Sequence, residues 1–227
     1  MSLTLYLHPL ATFCHKVMIA LEEAQLPYSA VVVDFADPAS ARLVSDHWAV
    51  GKIPLLHDAA SGRYVAETTI ILEYLAGRYP AMARLWPDQA ETLLEARLWD
   101  RFFDLYVQQP LQKIVTDRIR PMGSNDPHGV AEARKNLHTA YGMIEEHMSG
   151  RVWAVGSEFS IADCAAFPGL FFAGIVEPFP GSATTLSAYF ERLLARPSVT
   201  SVLAQAQPYF TMFPYRDAMP ARFLPGS

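Results

Sequence analysis

Cysteine is scarce in this chain of 227 residues: Cys14 and Cys164 are the only two. A disulfide framework is therefore excluded, and a reducing compartment suits the sequence better than an oxidising one. Positive charge is not in excess either. The 18 Lys and Arg residues stand against 23 Asp and Glu, for a formal net charge of −5. That argues against nucleic acid as a partner, because neutralising phosphates needs clustered cations. His8, His15, His47 and His57 are scattered, with no spacing suited to a metal, so no metal is expected. Long hydrophobic runs are missing too. The most apolar stretch, residues 161 to 176, carries Asp163 and Pro168 and is too short to span a bilayer. Met1-Ser2 leads into a strand pattern with no basic region ahead of it, so neither a signal peptide nor a membrane partner is expected. A cytoplasmic protein is the expectation. Hydrophobic residues make up 51% of the chain, a globular composition with enough length for one or two compact domains.

The most informative segment lies at the start. Leu3, Leu5 and Leu7 alternate with Thr4, Tyr6 and His8, which is the period of a strand. Pro9 cannot donate to a ladder and ends it. Phe13, Val17, Ala20, Leu21 and Ala24 then recur at helical spacing, with Lys16, Glu22 and Glu23 expected on other faces. A helix that starts where a strand ends points free N–H groups at any anion above residues 10 to 14.

Further along, the first 80 residues keep alternating. A β-branched run at residues 28 to 33 predicts a second strand. Residues 38 to 48 are short-helical or irregular. Residues 53 to 57 and 63 to 66 predict two strands joined by a turn, and Ile70, Ile71, Tyr74 and Leu75 a helix ending before Pro80. The order is β-α-β-α-β-β-α, with a mixed sheet of four strands. From Asp88 onward the pattern is helical throughout. A long helix is predicted to about residue 120, disturbed at Pro110, then helices near residues 130–148, 184–195 and 198–206. Ser160-Ile161-Ala162-Asp163 forms a capping box ahead of an apolar helix. Residues 1–80 are expected as one domain, 81–88 as a linker and 89–227 as an all-α domain.

Three segments in this order carry a resemblance: the opening strand–turn–helix, Gly51-Lys52-Ile53-Pro54-Leu55-Leu56, and Glu67-Thr68-Thr69-Ile70-Ile71-Leu72-Glu73-Tyr74-Leu75. Together they resemble the cytosolic glutathione transferase family, in its bacterial zeta- or tau-like branch, over nearly the whole chain. The resemblance implies a thioredoxin-like α/β domain followed by a helical one, glutathione as co-substrate, and a homodimer. It also implies a cis bond at Ile53-Pro54, which leaves the Ile53 N–H and C=O open to an extended peptide lying alongside. Lys52 then faces the ligand's glycine carboxylate. Glu67 pairs with the γ-glutamyl ammonium, while Thr68 and free helix N–H groups hold its α-carboxylate. Glu and Thr are also ordinary helix-start residues, so capping is the plain alternative, and the resemblance favours the ligand role. The implied reaction conjugates the glutathione thiolate to a hydrophobic electrophile. A zeta-type cis–trans isomerase is the close variant, and a non-catalytic glutathione or hydrophobic-ligand binder the other reading.

The third reading arises from Ala11. Where the family places a Ser or Cys, counting back from Lys16-Val17-Met18-Ile19-Ala20-Leu21, this chain has a methyl group. A thiol of pKa about 8.5 needs a drop of roughly two units, nearly 3 kcal/mol, to ionise near neutrality. A helix N-terminus supplies about 0.3–1 kcal/mol, up to about 2 in sheltered geometry, and a charge-assisted hydrogen bond about 1.5–3. A hydroxyl is therefore wanted. Thr12 is assigned that role, an N-cap role being compatible with it. Cys14 reads as a buried small hydrophobe, and Cys164 as core. Leu10, Phe13 and Tyr106 are candidates for a hydrophobic-substrate pocket, as are the aromatics Tyr209, Phe210 and Phe213. Phe103 reads as packing.

Overall fold

A computed structural model describes residues 2 to 224. Two compact units divide it, Met1–Trp86 and Pro87–Ser227.

In the first unit, strand β1 (Leu3–Leu7) is followed by helix α1 (Thr12–Glu23), strand β2 (Ser29–Val32) and helix α2 (Pro38–Ser45). Strands β3 (Leu55–Asp58) and β4 (Arg63–Ala66) form a hairpin, and helix α3 (Thr68–Ala76) completes the expected order. The sheet runs β2-β1-β3-β4. β1 is parallel to β2 and antiparallel to β3, and β3 is antiparallel to β4. The predicted alternation is real: Leu3, Leu5 and Leu7 are buried, while Thr4 and Tyr6 are half-buried. Tyr6 instead joins Trp48, Ile53 and Tyr64 around a small core of Val33, Val44 and Leu55 on the α2 side. Asp37 caps α2 by accepting from the N–H groups of Ala39 and Ser40, with Pro38 in the first turn.

Helix α1 departs from the sequence reading. All of residues 14 to 21 are buried, His15 and Lys16 included. Lys16 does not sit on an exposed face, because it falls three residues after Phe13 and four before Ala20, inside the apolar stripe. Residues 80 to 83, expected partly within a linker, form a short helix α4 (Pro80–Ala83), and Met82 and Leu85 nearby are buried.

The second unit is helical, as the sequence predicts. Its long first helix is not continuous: α5 (Ala90–Phe102) opens into a π-helical turn over Phe103–Gln108 before α6 (Gln109–Arg118). The disturbance lies upstream of Pro110. Proline has no N–H to offer the carbonyl four residues back, that of Tyr106, so the preceding turn widens. Helices α7 (Pro127–His147), α8 (Ile161–Val176), α9 (Thr184–Leu194) and α10 (Pro197–Ala206) follow. The capping box ahead of α8 is present. Asp163 accepts from the Ser160 N–H at 2.9 Å and from the Tyr189 hydroxyl at 2.7 Å. Phe210 and Phe213 are buried against Phe172 in this unit's aromatic core, so both pack rather than line a pocket. Phe103 is fully buried, in keeping with packing.

Candidate functional site

Three junctions meet at one end of the sheet, and the register explains why. Tyr6 pairs with Leu55, and Leu55 with Ala66. The turn after β1, the Ile53-Pro54 bond before β3 and Glu67 after β4 therefore emerge side by side. Neighbouring strands lie about 4.8 Å apart, so the β1 and β4 exits are separated by about 10 Å. That matches an extended tripeptide, at roughly 3.3–3.6 Å per residue.

The turn after β1 is closed on itself. The Ala11 N–H donates to the His8 carbonyl at 2.9 Å, and the Leu10 N–H to His8 Nδ1 at 3.2 Å. Accepting at Nδ1 places the neutral ring's proton on Nε2. Burial lowers the His8 pKa, opposed by the charge of Asp34. Ala11 is the N-cap of α1 in extended conformation, and its side chain makes no capping bond. Thr12 is thus the first helical residue and not the cap, which corrects the capping expectation. Among the described residues its hydroxyl has no partner. Leu10, Ala11, Thr12 and Phe13 are all half-buried. Cys14 is wholly buried, and burial pushes its thiol up to about 12 despite a backbone hydrogen bond from His8. His15 is also buried, and burial brings its pKa down to about 4 although it donates to the Pro9 carbonyl at 2.6 Å. No side-chain cation from His15 assists the start of α1 near neutral pH.

At the second junction the Ile53-Pro54 bond is cis, as the resemblance implies. Ile53 packs its half-buried side chain on Val33, Val44 and Leu55. Its backbone lies beyond the β1–β3 ladder, and among the described residues neither its N–H nor its C=O has a partner. Pro54 is buried and Lys52 exposed.

The third junction is strained. Glu67 has φ 69° and ψ 122°, a conformation costing a side-chain-bearing residue of the order of 1–3 kcal/mol. As N-cap of α3 it uses no side-chain bond, and its exposed carboxylate is unpaired among the described residues. The first N–H to close the helix is that of Ile71, onto the Glu67 carbonyl at 2.8 Å. Those ahead of it, Thr68 foremost, lack an intrahelical acceptor. Thr68 is 7% exposed. Capping does not account for Glu67 here.

Two tertiary contacts of α3 have no counterpart in the sequence reading. Lys16, fully buried on α1, donates from Nζ to Thr69 Oγ1 at 3.1 Å; its place in the apolar stripe was the available signal. Tyr74 donates to Asp58 Oδ2 at 2.7 Å, and Ser61 to the same oxygen at 3.1 Å, tying α3 to the β3–β4 hairpin. The Tyr74 hydroxyl is the main reason the Asp58 carboxyl is held below its usual range, helped by Ala60 and Ser61 and opposed by burial. Beside Glu67 lies a cavity of about 640 Å³, lined among others by Trp48, Tyr64, Ala66, Ile70 and Tyr74. Tyr64 is sandwiched between His47 at 3.6 Å and His57 at 4.3 Å.

Of the proposed pocket residues, Leu10 and Phe13 flank Ala11-Thr12. Tyr106 lies in the π-helical turn of the second unit and is 56% exposed. Among the described residues there is no group of three or more potential metal-ligating side chains, and no helix is long and apolar enough to cross a membrane.

Comparison with known proteins places this geometry. The glutathione S-transferase N-terminal domain model matches residues 11–78, and the C-terminal domain model residues 103–197. Glutathione S-transferase GstB of Escherichia coli strain K12 is 26% identical over 200 residues, 85% of this chain and 93% of that protein. Among solved structures, a glutathione S-transferase of Methylobacterium radiotolerans in complex with glutathione sulfonate is 25% identical, with a TM-score of 0.77 over 88% of this chain and 93% of that one. Another, of Methylobacillus flagellatus with glutathione bound, shares the fold at a TM-score of 0.81 and 24% identity, covering 88% and 98% of the two chains. The two domain models, in this order on a thioredoxin-like unit followed by a helical one, identify the chain as a member of the cytosolic glutathione transferase family.

Proposed function

We propose that this chain binds glutathione across the shared end of β1, β3 and β4 and conjugates its sulfur to a hydrophobic electrophile. The observation that carries the reading is the strained, unpaired Glu67 beside the free N–H groups of α3, level with the unpaired Ile53 backbone. A γ-glutamyl head is a zwitterion. Glu67 faces its ammonium, and the start of α3 with Thr68 its carboxylate. Ile53 pairs with the peptide backbone beside Pro54, and Lys52 faces the glycine carboxylate. The thiol then lies over the start of α1, where Thr12 donates its hydroxyl to the sulfur. Loss of the thiol proton to solvent leaves a thiolate. Its electron pair forms the new S–C bond as the electrophile's leaving group departs, or as a double bond takes up charge and then a proton. Leu10 and Phe13 line the electrophile's side. Proximity and thiolate activation supply the rate.

A second reading rests on a specific observation. Ala11, at the position that contacts sulfur in the family, brings no donor, and the neighbouring Cys14 is too buried to replace it. The chain would then bind glutathione, or a hydrophobic ligand, with little turnover. Reversible thiolate addition to a double bond, an isomerisation, uses the same parts. We place the protein in the cytoplasm, where glutathione is abundant and reduced. The homodimer is part of the same reading: Ile70 on α3 is 50% exposed, and Leu94 and Leu98 on α5 are 63% exposed each. Analytical ultracentrifugation tests it, a single monomer boundary at micromolar concentration counting against it.

Calorimetric titration with glutathione, followed by turnover with a panel of aryl halides and enones, tests the function. Binding with thioether formation is the expected result. Binding without turnover establishes the second reading. No heat and no turnover would remove glutathione from both.

A further inference from the structure

We infer that Lys16 is a positioning residue for the carboxylate of the bound γ-glutamyl group, acting through Thr69. This rests on the glutathione-binding reading and adds a residue that the reading did not contain. Lys16 is fully buried on α1, and its Nζ lies 3.1 Å from Thr69 Oγ1 in the first turn of α3. An ammonium has three protons to give and no lone pair. Thr69 Oγ1 is therefore the acceptor in this contact, which fixes the threonine rotamer and turns its own O–H away from Lys16. The charge sits behind the same helix start whose N–H groups lack acceptors, and adds to the positive end of the helix.

Burying an ammonium is costly, and a methionine would fill the same space without that cost. A buried charge placed under a surface anion site is screened less than one in solvent. It also stays off the ligand, leaving the ammonium of the γ-glutamyl group to Glu67 on the exposed side. Lys16 and Glu67 thus divide the zwitterion by sign: the cation lies beneath the helix start and the anion at its rim.

The test is a cycle between protein and ligand. Wild type and Lys16→Met are each titrated with glutathione and with the analogue whose γ-glutamyl α-carboxylate is replaced by hydrogen. Wild type should favour glutathione over the analogue by about tenfold or more, the size of one charge-assisted contact. Lys16→Met should lose most of that preference by weakening glutathione alone. Equal weakening of both ligands would mean that Lys16 merely packs, and would overturn the inference. So would an undiminished preference. Thr69→Val provides the second variant, since it leaves α1 untouched: it should lose the preference too, and adding it to Lys16→Met should cost little more. Additive losses would overturn the proposal. Wild type that binds neither ligand would instead refute the glutathione site itself.

Discussion

Two strand-to-helix junctions of the first unit stand at the same end of one sheet, and they are built to opposite plans. The turn before α1 is closed on itself up to Ala11, and among the described residues only the Thr12 and Phe13 N–H groups beyond it lack an acceptor. His8 takes two N–H groups, Ala11 accepts from Cys14, and the adjoining side chains are apolar apart from Thr12. The start of α3 leaves its groups open: Glu67 is strained and unpaired, Thr68 has a free N–H, and Lys16 stands behind Thr69. Backbone strain persists only where surrounding structure enforces it. The surroundings of α3 are tied down: Tyr74, two turns along it, and Ser61 both donate to Asp58 at the turn end of the β3–β4 hairpin. If the site is the one proposed, the difference teaches that equipment for holding a charged head group exceeds equipment for ionising a thiol. On the proposed reading, binding and activation are therefore separable in this chain.

The largest effect should come from stripping the better-equipped junction. Replacing Glu67 and Thr68 together by Ala removes the partner proposed for the ammonium and a proposed carboxylate donor. At about 1.5–3 kcal/mol per charge-assisted bond, glutathione affinity by calorimetry should fall at least about a hundredfold. The fold should hold, since neither side chain bonds within the described residues. Unchanged affinity would mean that the two junctions do not differ as argued. Next in size is repair of the poorer one. Ala11→Ser supplies a donor at the place proposed for the sulfur and should raise kcat/KM about tenfold, within the worth of one such bond, with glutathione affinity unaltered. Thr12→Val should lower turnover by a similar factor. If Ala11→Ser changes nothing while Thr12→Val is severe, Thr12 already does the work.

How much of this could be read in the amino-acid sequence depends on the range of the forces involved. Local patterning was enough for β1, α1, the capping box at Ser160 and the helical second unit, because strand and helix periods are written in neighbouring residues. Glu67-Thr68 and Ile53-Pro54 were legible as candidates from their order along the chain. Beyond its place in the apolar stripe, the burial of Lys16 is not legible in the sequence. A charged residue is normally solvated, and nothing local reveals that a hydroxyl 53 residues away will receive it. The π-helical turn at Phe103–Gln108 was displaced in the reading for a related reason. Proline acts on the carbonyl four residues behind it, so the distortion precedes the residue that causes it. The knot of Asp58, Ser61 and Tyr74 joins a hairpin to a helix, a tertiary event with no periodic signature.

That knot yields a smaller prediction about stability. Tyr74→Phe removes a hydrogen bond to a carboxylate and should cost about 1–2 kcal/mol near neutral pH, read as a shift in urea midpoint. The Asp58 pKa is lower in the folded protein than in the unfolded chain, where it is about 3.9. Its contribution is therefore complete above the unfolded value and disappears as pH falls through the folded one. The gap between wild type and Tyr74→Phe should accordingly narrow on acidification below about pH 4. A gap independent of pH would show that the tyrosine merely packs.

The smallest effect belongs to Cys14, and its smallness is the point. The residue lies two positions past Thr12, near enough in sequence to invite a role as nucleophile or hydrogen-bond donor. Burial raises its thiol to about 12, so near neutral pH almost none is thiolate, and the thiolate is the reactive form. Cys14→Ala should leave glutathione turnover within about twofold of wild type, while costing some stability as a small core cavity opens. A maleimide at neutral pH should label Cys14 only after denaturation. Rapid labelling of the native protein, or a large loss of turnover in Cys14→Ala, would show that the turn before α1 carries a thiol of its own. The contrast between the two junctions would then have to be redrawn, with activation as well supplied as binding.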